Sequence, residues 1–139
     1  MRDILYEQEI QKHIAKIIRI LGQYENGNTD WSEIDILAVE RGLQILIESV
    51  IGLSRYVLST CFAINVPRSR EAIDELKRLG EFTAGEREKL NKIIGFRNVL
   101  VHDYLNVDEN ITKAIITKQD YTFIVQIAEK LTRILVEKG

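Results

Sequence analysis

The chain has 139 residues, 45% of them hydrophobic and 29% charged, which is one globular domain's worth of sequence and excludes wholesale disorder. Nineteen Lys and Arg against 21 Asp and Glu give a net charge of −2, which excludes a protein that holds nucleic acid by overall charge alone. One cysteine excludes an intrachain disulfide framework and a multi-cysteine zinc site, and one proline with eight glycines is too few for a strand-and-turn architecture.

In chain order, Ile10, Ile14, Ile17, Ile18 and Leu21 recur at steps of three and four, so residues 2–24 read as a first amphipathic helix. The polar stretch from Glu25 to Asp30 reads as a turn. A longer helix starts near Ser32, where Ser32-Glu33-Ile34-Asp35 supplies a cap and first-turn acids. Its residues 43–53 are apolar on more than one side, which places this helix centrally in the fold or against a second subunit. It should stop before Pro67. Ser69 is positioned to cap a short third helix carrying Ile73, Leu76 and Leu79, with Gly80 ending it. Thr83 and Glu86 form a capping box for a fourth helix carrying Leu90, Ile93, Ile94, Phe96, Leu100 and Val101. Residues 105–110 read as a loop with a short helical turn after it, and a last helix begins near Asp120. The expectation is a single all-α domain over 1–139, an antiparallel bundle of four or five helices.

The most apolar stretch, Leu43 to Leu58, is broken by Gln44, Glu48 and Arg55, so no membrane span is expected. The first residues lack the apolar core and cleavage site of a signal peptide, and a cytoplasmic location is expected. Gly80 to Arg87 has the glycine spacing of a phosphate loop, but Glu86 stands where the lysine belongs and would repel phosphate. Cys61 reads as a small buried hydrophobe, and His13 as a solvent-facing residue. Neither His13 nor His102 has an acid at i+3 or i+4, so no metal site is expected.

Residues 97–104, Arg-Asn-Val-Leu-Val-His-Asp-Tyr, are different. Arg97, Asn98, His102, Asp103 and Tyr104 crowd around an apolar Val99-Leu100-Val101. On an ideal helix Arg97 and Tyr104 share a face, whereas His102 lies about 140° from Arg97. Arg97 and His102 meet most easily if the helix ends near His102 or if another chain completes the site.

This segment matches Arg-x4-His-x-Tyr and resembles the signature of HepT-type toxins in the HEPN superfamily. Residues 38–48, from Ala38 to Glu48, resemble that family's second helix, and Pro67 with Ser69 to Ile73 resembles the start of its third. The resemblance implies a homodimeric HEPN bundle whose two motifs meet in one cleft. It implies a metal-independent ribonuclease with no cofactor, the toxin of a toxin–antitoxin pair, with a minimal nucleotidyltransferase of the MntA type as partner. It also implies that the partner attaches AMP to the motif tyrosine, Tyr104.

The residue types suit RNA cleavage without a metal. The ribose 2′-OH attacks the adjacent phosphate once it is deprotonated and the developing charge is held. A neutral histidine, with an ordinary pKa of ~6.5, can take that proton or give one to the leaving oxygen. Arginine stays charged and grips phosphate through two donors. His102 is therefore assigned as acid or base and Arg97 as phosphate clamp; Asn98 would orient the motif or donate to phosphate, and Tyr104 would stack on a base or bond the phosphate. Two other readings stand beside this one. A non-catalytic HEPN module could use the same residues to bind nucleotide for a separate nucleotidyltransferase, or the motif could be a polar seam in a structural dimer.

Overall fold

The computed structural model describes residues 2–26 and 30–139. Among them the chain forms six α-helices: α1 (Ile4–Gly22), α2 (Glu33–Phe62), α3 (Ser69–Arg78), α4 (Ala84–His102), α5 (Glu109–Thr117) and α6 (Thr122–Lys138), with a 3-10 turn at Tyr104–Asn106 before α5. The expected all-helical bundle is present, with one helix more than expected, because the turn foreseen after residue 110 extends to the nine residues of α5. Part of the polar turn between the first two helices lies outside the described residues. No described helix is long and apolar enough to cross a membrane.

The helix starts follow local chemistry. At α2, Ser32 Oγ accepts the Asp35 amide at 3.1 Å while Asp35 accepts the Ser32 amide at 2.9 Å. Thr83 and Glu86 make the same reciprocal box at α4, with distances of 3.1 and 2.8 Å. Ser69 does not cap α3 as expected: it is the first helical residue, the cap position is Arg68, and no side chain fills it. Gly80 ends α3 as foreseen, with φ of +81°, and the Glu81 and Gly80 amides close back onto Leu76 and Lys77 at 2.9 and 3.0 Å. The second helix stops well short of Pro67. Ala63 turns into the left-handed region at φ 54°, and the Ile64 amide closes on the Leu58 carbonyl at 3.0 Å.

The 30-residue α2 is the axis of the bundle, with α1, α3, α4, α5 and α6 packed around it. Leu43, Leu46, Leu53, Val57 and Leu58 are fully buried or nearly so, and they meet Leu21 of α1, Ile73 and Leu76 of α3, and Ile127, Leu131 and Leu135 of α6 in one core. Gly42 lets α1 approach closely, because a Cβ there would lie 3.0 Å from Leu21 Cδ2. The apolar breadth of residues 43–53 is thus satisfied within the chain. Of the two placements left open for residues 43–53, the central one holds; on the first turns of α2, Ile34 and Leu37 stay exposed.

One buried charge ties down the first helix. Glu7 is only 7% exposed, accepts Arg2 Nη2 at 2.7 Å and Nε at 3.2 Å, and accepts the Tyr56 hydroxyl at 2.7 Å. These bonds, the Arg2 guanidinium first, hold the Glu7 carboxyl below its ordinary value of 4.5. A depressed carboxylate contributes stability that is complete above the unfolded pKa and is lost as pH falls through the folded one. The melting temperature should therefore drop as pH is lowered beneath about 4.5, and Glu7→Gln, with no charge to protonate, should flatten that acid limb. Equal acid sensitivity in both proteins, read by circular dichroism melts, would place the titration elsewhere.

Candidate functional site

The segment 97–104 straddles the end of α4. The helix stops at His102 because Asp103, at φ −144° and ψ 50°, leaves helical geometry while its amide still bonds the Val99 carbonyl at 3.0 Å. Asp103 then accepts from the Asn106 side chain at 2.7 Å and from the Asn106 amide at 3.0 Å, which tightens the chain into the 3-10 turn. Asp108 caps α5 immediately afterwards, accepting the Asn110 amide at 2.9 Å.

This break changes the expected facing of the motif. Arg97 and Tyr104 do not share a face of one helix, because Tyr104 lies beyond the break in the 3-10 turn. Each turns to a different neighbour. Arg97 is half-buried on α4 and donates through Nη2 to Ser69 Oγ at the start of α3, at 3.3 Å. Its Nε is buried without a partner, and among the described residues the guanidinium pairs with no carboxylate. A buried N–H without a partner costs about 1–3 kcal/mol. Asn98 is half-buried at the next position, roughly 100° round the helix. His102 is exposed on the last turn of α4. Among the described residues no hydrogen bond joins Arg97, Asn98, His102 and Tyr104 to one another.

Tyr104 reaches back to α2. Its hydroxyl donates to Glu40 Oε1 at 2.9 Å, and Glu40 is only 5% exposed. The Glu40 carboxylate, and after it loss of solvent, holds the Tyr104 phenol above the ordinary tyrosine value of 10. Side chains around the motif are apolar yet exposed: Leu105 is 98% exposed, and Val101 and Ile111 are exposed as well.

Two residues of this arrangement carry no role at the site in the sequence reading. Glu40 stands in the stretch that resembles the family's second helix and Ser69 in the stretch that resembles the third, but neither shows its partner. The available signal was weak: a single glutamate in Ala38-Val39-Glu40, beside a helix stripe that has to be buried. His13 is exposed, as expected. Cys61 is only partly buried near the end of α2, and burial pushes its thiol pKa upward, away from the reactive thiolate. Among the described residues no three His, Cys, Asp or Glu side chains gather as metal ligands would.

The family described as ribonuclease HepT-like matches residues 10–131 of the chain. Three solved structures share the fold. A toxin–antitoxin crystal structure with AMP-PNP contains a chain 19% identical, with a TM-score of 0.80 over 94% of this chain and 99% of that one. A cytosolic protein of unknown function from Bacillus subtilis, YutE, is 26% identical, with a TM-score of 0.74 over 93% and 90% of the two chains. A tri-AMPylated HEPN toxin from Shewanella oneidensis, in complex with an MNT antitoxin, is 22% identical, with a TM-score of 0.76 over 96% and 99%. No curated protein matches the chain in sequence.

Proposed function

The chain belongs to the HepT-like ribonuclease family, and from that premise we propose that it is the toxin of a toxin–antitoxin pair, an endoribonuclease that cleaves RNA without a metal. One observation carries the reading: Arg97 is held half-buried on α4, paired with no carboxylate among the described residues, five residues before an exposed His102 that ends the helix. A guanidinium so placed can take a phosphate through two donors. The histidine can move the proton of the 2′-OH or of the leaving oxygen. The 2′ oxygen forms a bond to phosphorus, the bond to the 5′ oxygen breaks, and the products are a 2′,3′-cyclic phosphate and a free 5′-hydroxyl. Asn98 would orient this segment or donate to the phosphate.

Each chain brings one motif histidine, so a base and an acid together require two chains. Support for a homodimer comes from Val101, Leu105 and Ile111, apolar side chains exposed in and just after the motif, which a second chain would cover. Light scattering at micromolar concentration should give twice the chain mass; a mass near 16.1 kDa would remove the two-chain site.

The partner in this reading is a minimal nucleotidyltransferase of the MntA type, which neutralises the toxin by adding AMP to Tyr104. The shared fold of the tri-AMPylated Shewanella toxin supports this. The deciding experiment for the enzyme is cleavage of an RNA oligonucleotide in EDTA, with the matching DNA as control. Cutting of RNA to cyclic-phosphate ends, with DNA intact because it lacks the 2′-OH, is the expected result. Loss of cutting in EDTA, or equal cutting of DNA, would reject the mechanism.

A further inference from the structure

A buried carboxylate needs a partner, and the partner of Glu40 is the hydroxyl on which this reading places AMP. The Tyr104 residue is 50% exposed, yet its oxygen is bonded, at 2.9 Å, to a group only 5% exposed. The ring is outside and its reactive tip is turned to the wall of α2. The rest of the 3-10 turn is held locally, by the Asp103–Asn106 pair, and Leu105 stands almost wholly in solvent. Among the described residues the Glu40–Tyr104 bond is the side-chain hydrogen bond that fastens this turn to α2.

We propose that Glu40 is a restraint on modification: it holds the Tyr104 hydroxyl against α2, and nucleotide transfer requires that hydroxyl to let go of Glu40 and swing outward. The inference rests on the reading of Tyr104 as the AMP acceptor. In the transfer, the Tyr104 oxygen forms a bond to the α-phosphorus of a nucleoside triphosphate. The bond from that phosphorus to the bridging oxygen of the β-phosphate breaks, pyrophosphate leaves, and the phenolic proton passes to water. In the seated geometry the incoming phosphate would have to lie against the Glu40 carboxylate, anion against anion in a partly desolvated place. The product cannot return to the seat either, because the modified oxygen has no proton to donate and its phosphodiester carries a negative charge. The modified protein therefore keeps the turn released and Glu40 uncovered.

The restraint is measurable without any partner. N-acetylimidazole transfers an acetyl group to accessible tyrosine hydroxyls, and peptide mass spectrometry reads the rate at each position. A hydrogen bond to a charged acceptor is worth enough to suppress the free hydroxyl about ten- to hundred-fold. Tyr104 should thus be acetylated at least about ten-fold faster in Glu40→Ala than in the unaltered protein, and faster to a lesser degree in Glu40→Gln, whose neutral amide is a weaker acceptor. Tyr24, bonded to Asp35 at 2.9 Å, is the internal control and should not change. Glu40→Gln nearly preserves shape, so it keeps the test open if the alanine variant unfolds. Equal Tyr104 rates in all three proteins would overturn the restraint. A second arm uses the purified nucleotidyltransferase partner with ATP, and AMP addition should quicken in the same order. Slower addition to Glu40→Gln would make Glu40 the proton acceptor of the transfer and overturn the restraint. Faster acetylation with no AMP added to any variant would leave the restraint standing and reject Tyr104 as the acceptor.

Discussion

His102→Ala is expected to reduce RNA cleavage by about 10²–10⁴-fold, the range that a positioned acid or base contributes. His102 is exposed on the last turn of α4, so its removal leaves the core untouched and the melting temperature close to that of the unaltered protein. Arg97→Ala should lose activity by a similar factor, because it removes the charge proposed to hold the phosphate. Its structural consequence differs. Arg97 is half-buried and its side chain hydrogen-bonds Ser69, joining α4 to α3. Removing it also removes a buried N–H that has no partner, so the loss of the bond is offset and the net change in stability should be small. A steady-state assay beside a thermal melt separates the two roles. A His102→Ala protein that cleaves at full rate would end the assignment, and an Arg97→Ala protein that fails to fold would make Arg97 a structural residue. Either variant should also relieve growth inhibition in cells producing the protein.

Tyr104→Phe is expected to abolish AMP addition by the nucleotidyltransferase partner, seen by intact-mass spectrometry as the disappearance of whole-AMP increments. If modification is the main means of control, the variant stays toxic in the partner's presence. The substitution is not silent in the fold. It strips the hydroxyl from Glu40 and leaves a carboxylate only 5% exposed without that donor, a loss of about 1–3 kcal/mol. A modest drop in melting temperature should accompany the loss of modification, and Tyr104→Phe with Glu40→Gln together should recover part of it, since the neutral amide is less costly to leave unpaired. If the partner neutralises Tyr104→Phe as well as it does the unaltered protein, complex formation rather than modification is the control. Retained AMP addition would move the acceptor to another side chain.

Much of this molecule is written in local sequence. The helices around Ile14, Leu46 and Leu131 follow from apolar residues spaced at three and four, because a helix in water must turn one stripe inward. The starts at Ser32 and Thr83 follow from a hydroxyl and an acid three residues on, and the end at Gly80 from the left-handed turn that glycine adopts without strain. The motif from Arg97 to Tyr104 was equally legible, since its residue types and spacing are properties of the chain alone. Three features depended on the assembled structure. The apolar breadth of α2 fits a central helix as well as a dimer face, and only the packing of α1, α3, α4, α5 and α6 around it chose the former. The facing of Arg97 and Tyr104 was misjudged because periodicity assumes a continuous helix, whereas Asp103 breaks it one residue before Tyr104. Glu40 and Ser69 stayed silent because a hydrogen bond across 64 or 28 residues leaves no trace in spacing. It exists only once α2 and α3 are packed beside the end of α4, where the buried Glu40 carboxylate meets the Tyr104 hydroxyl and the half-buried Arg97 meets Ser69.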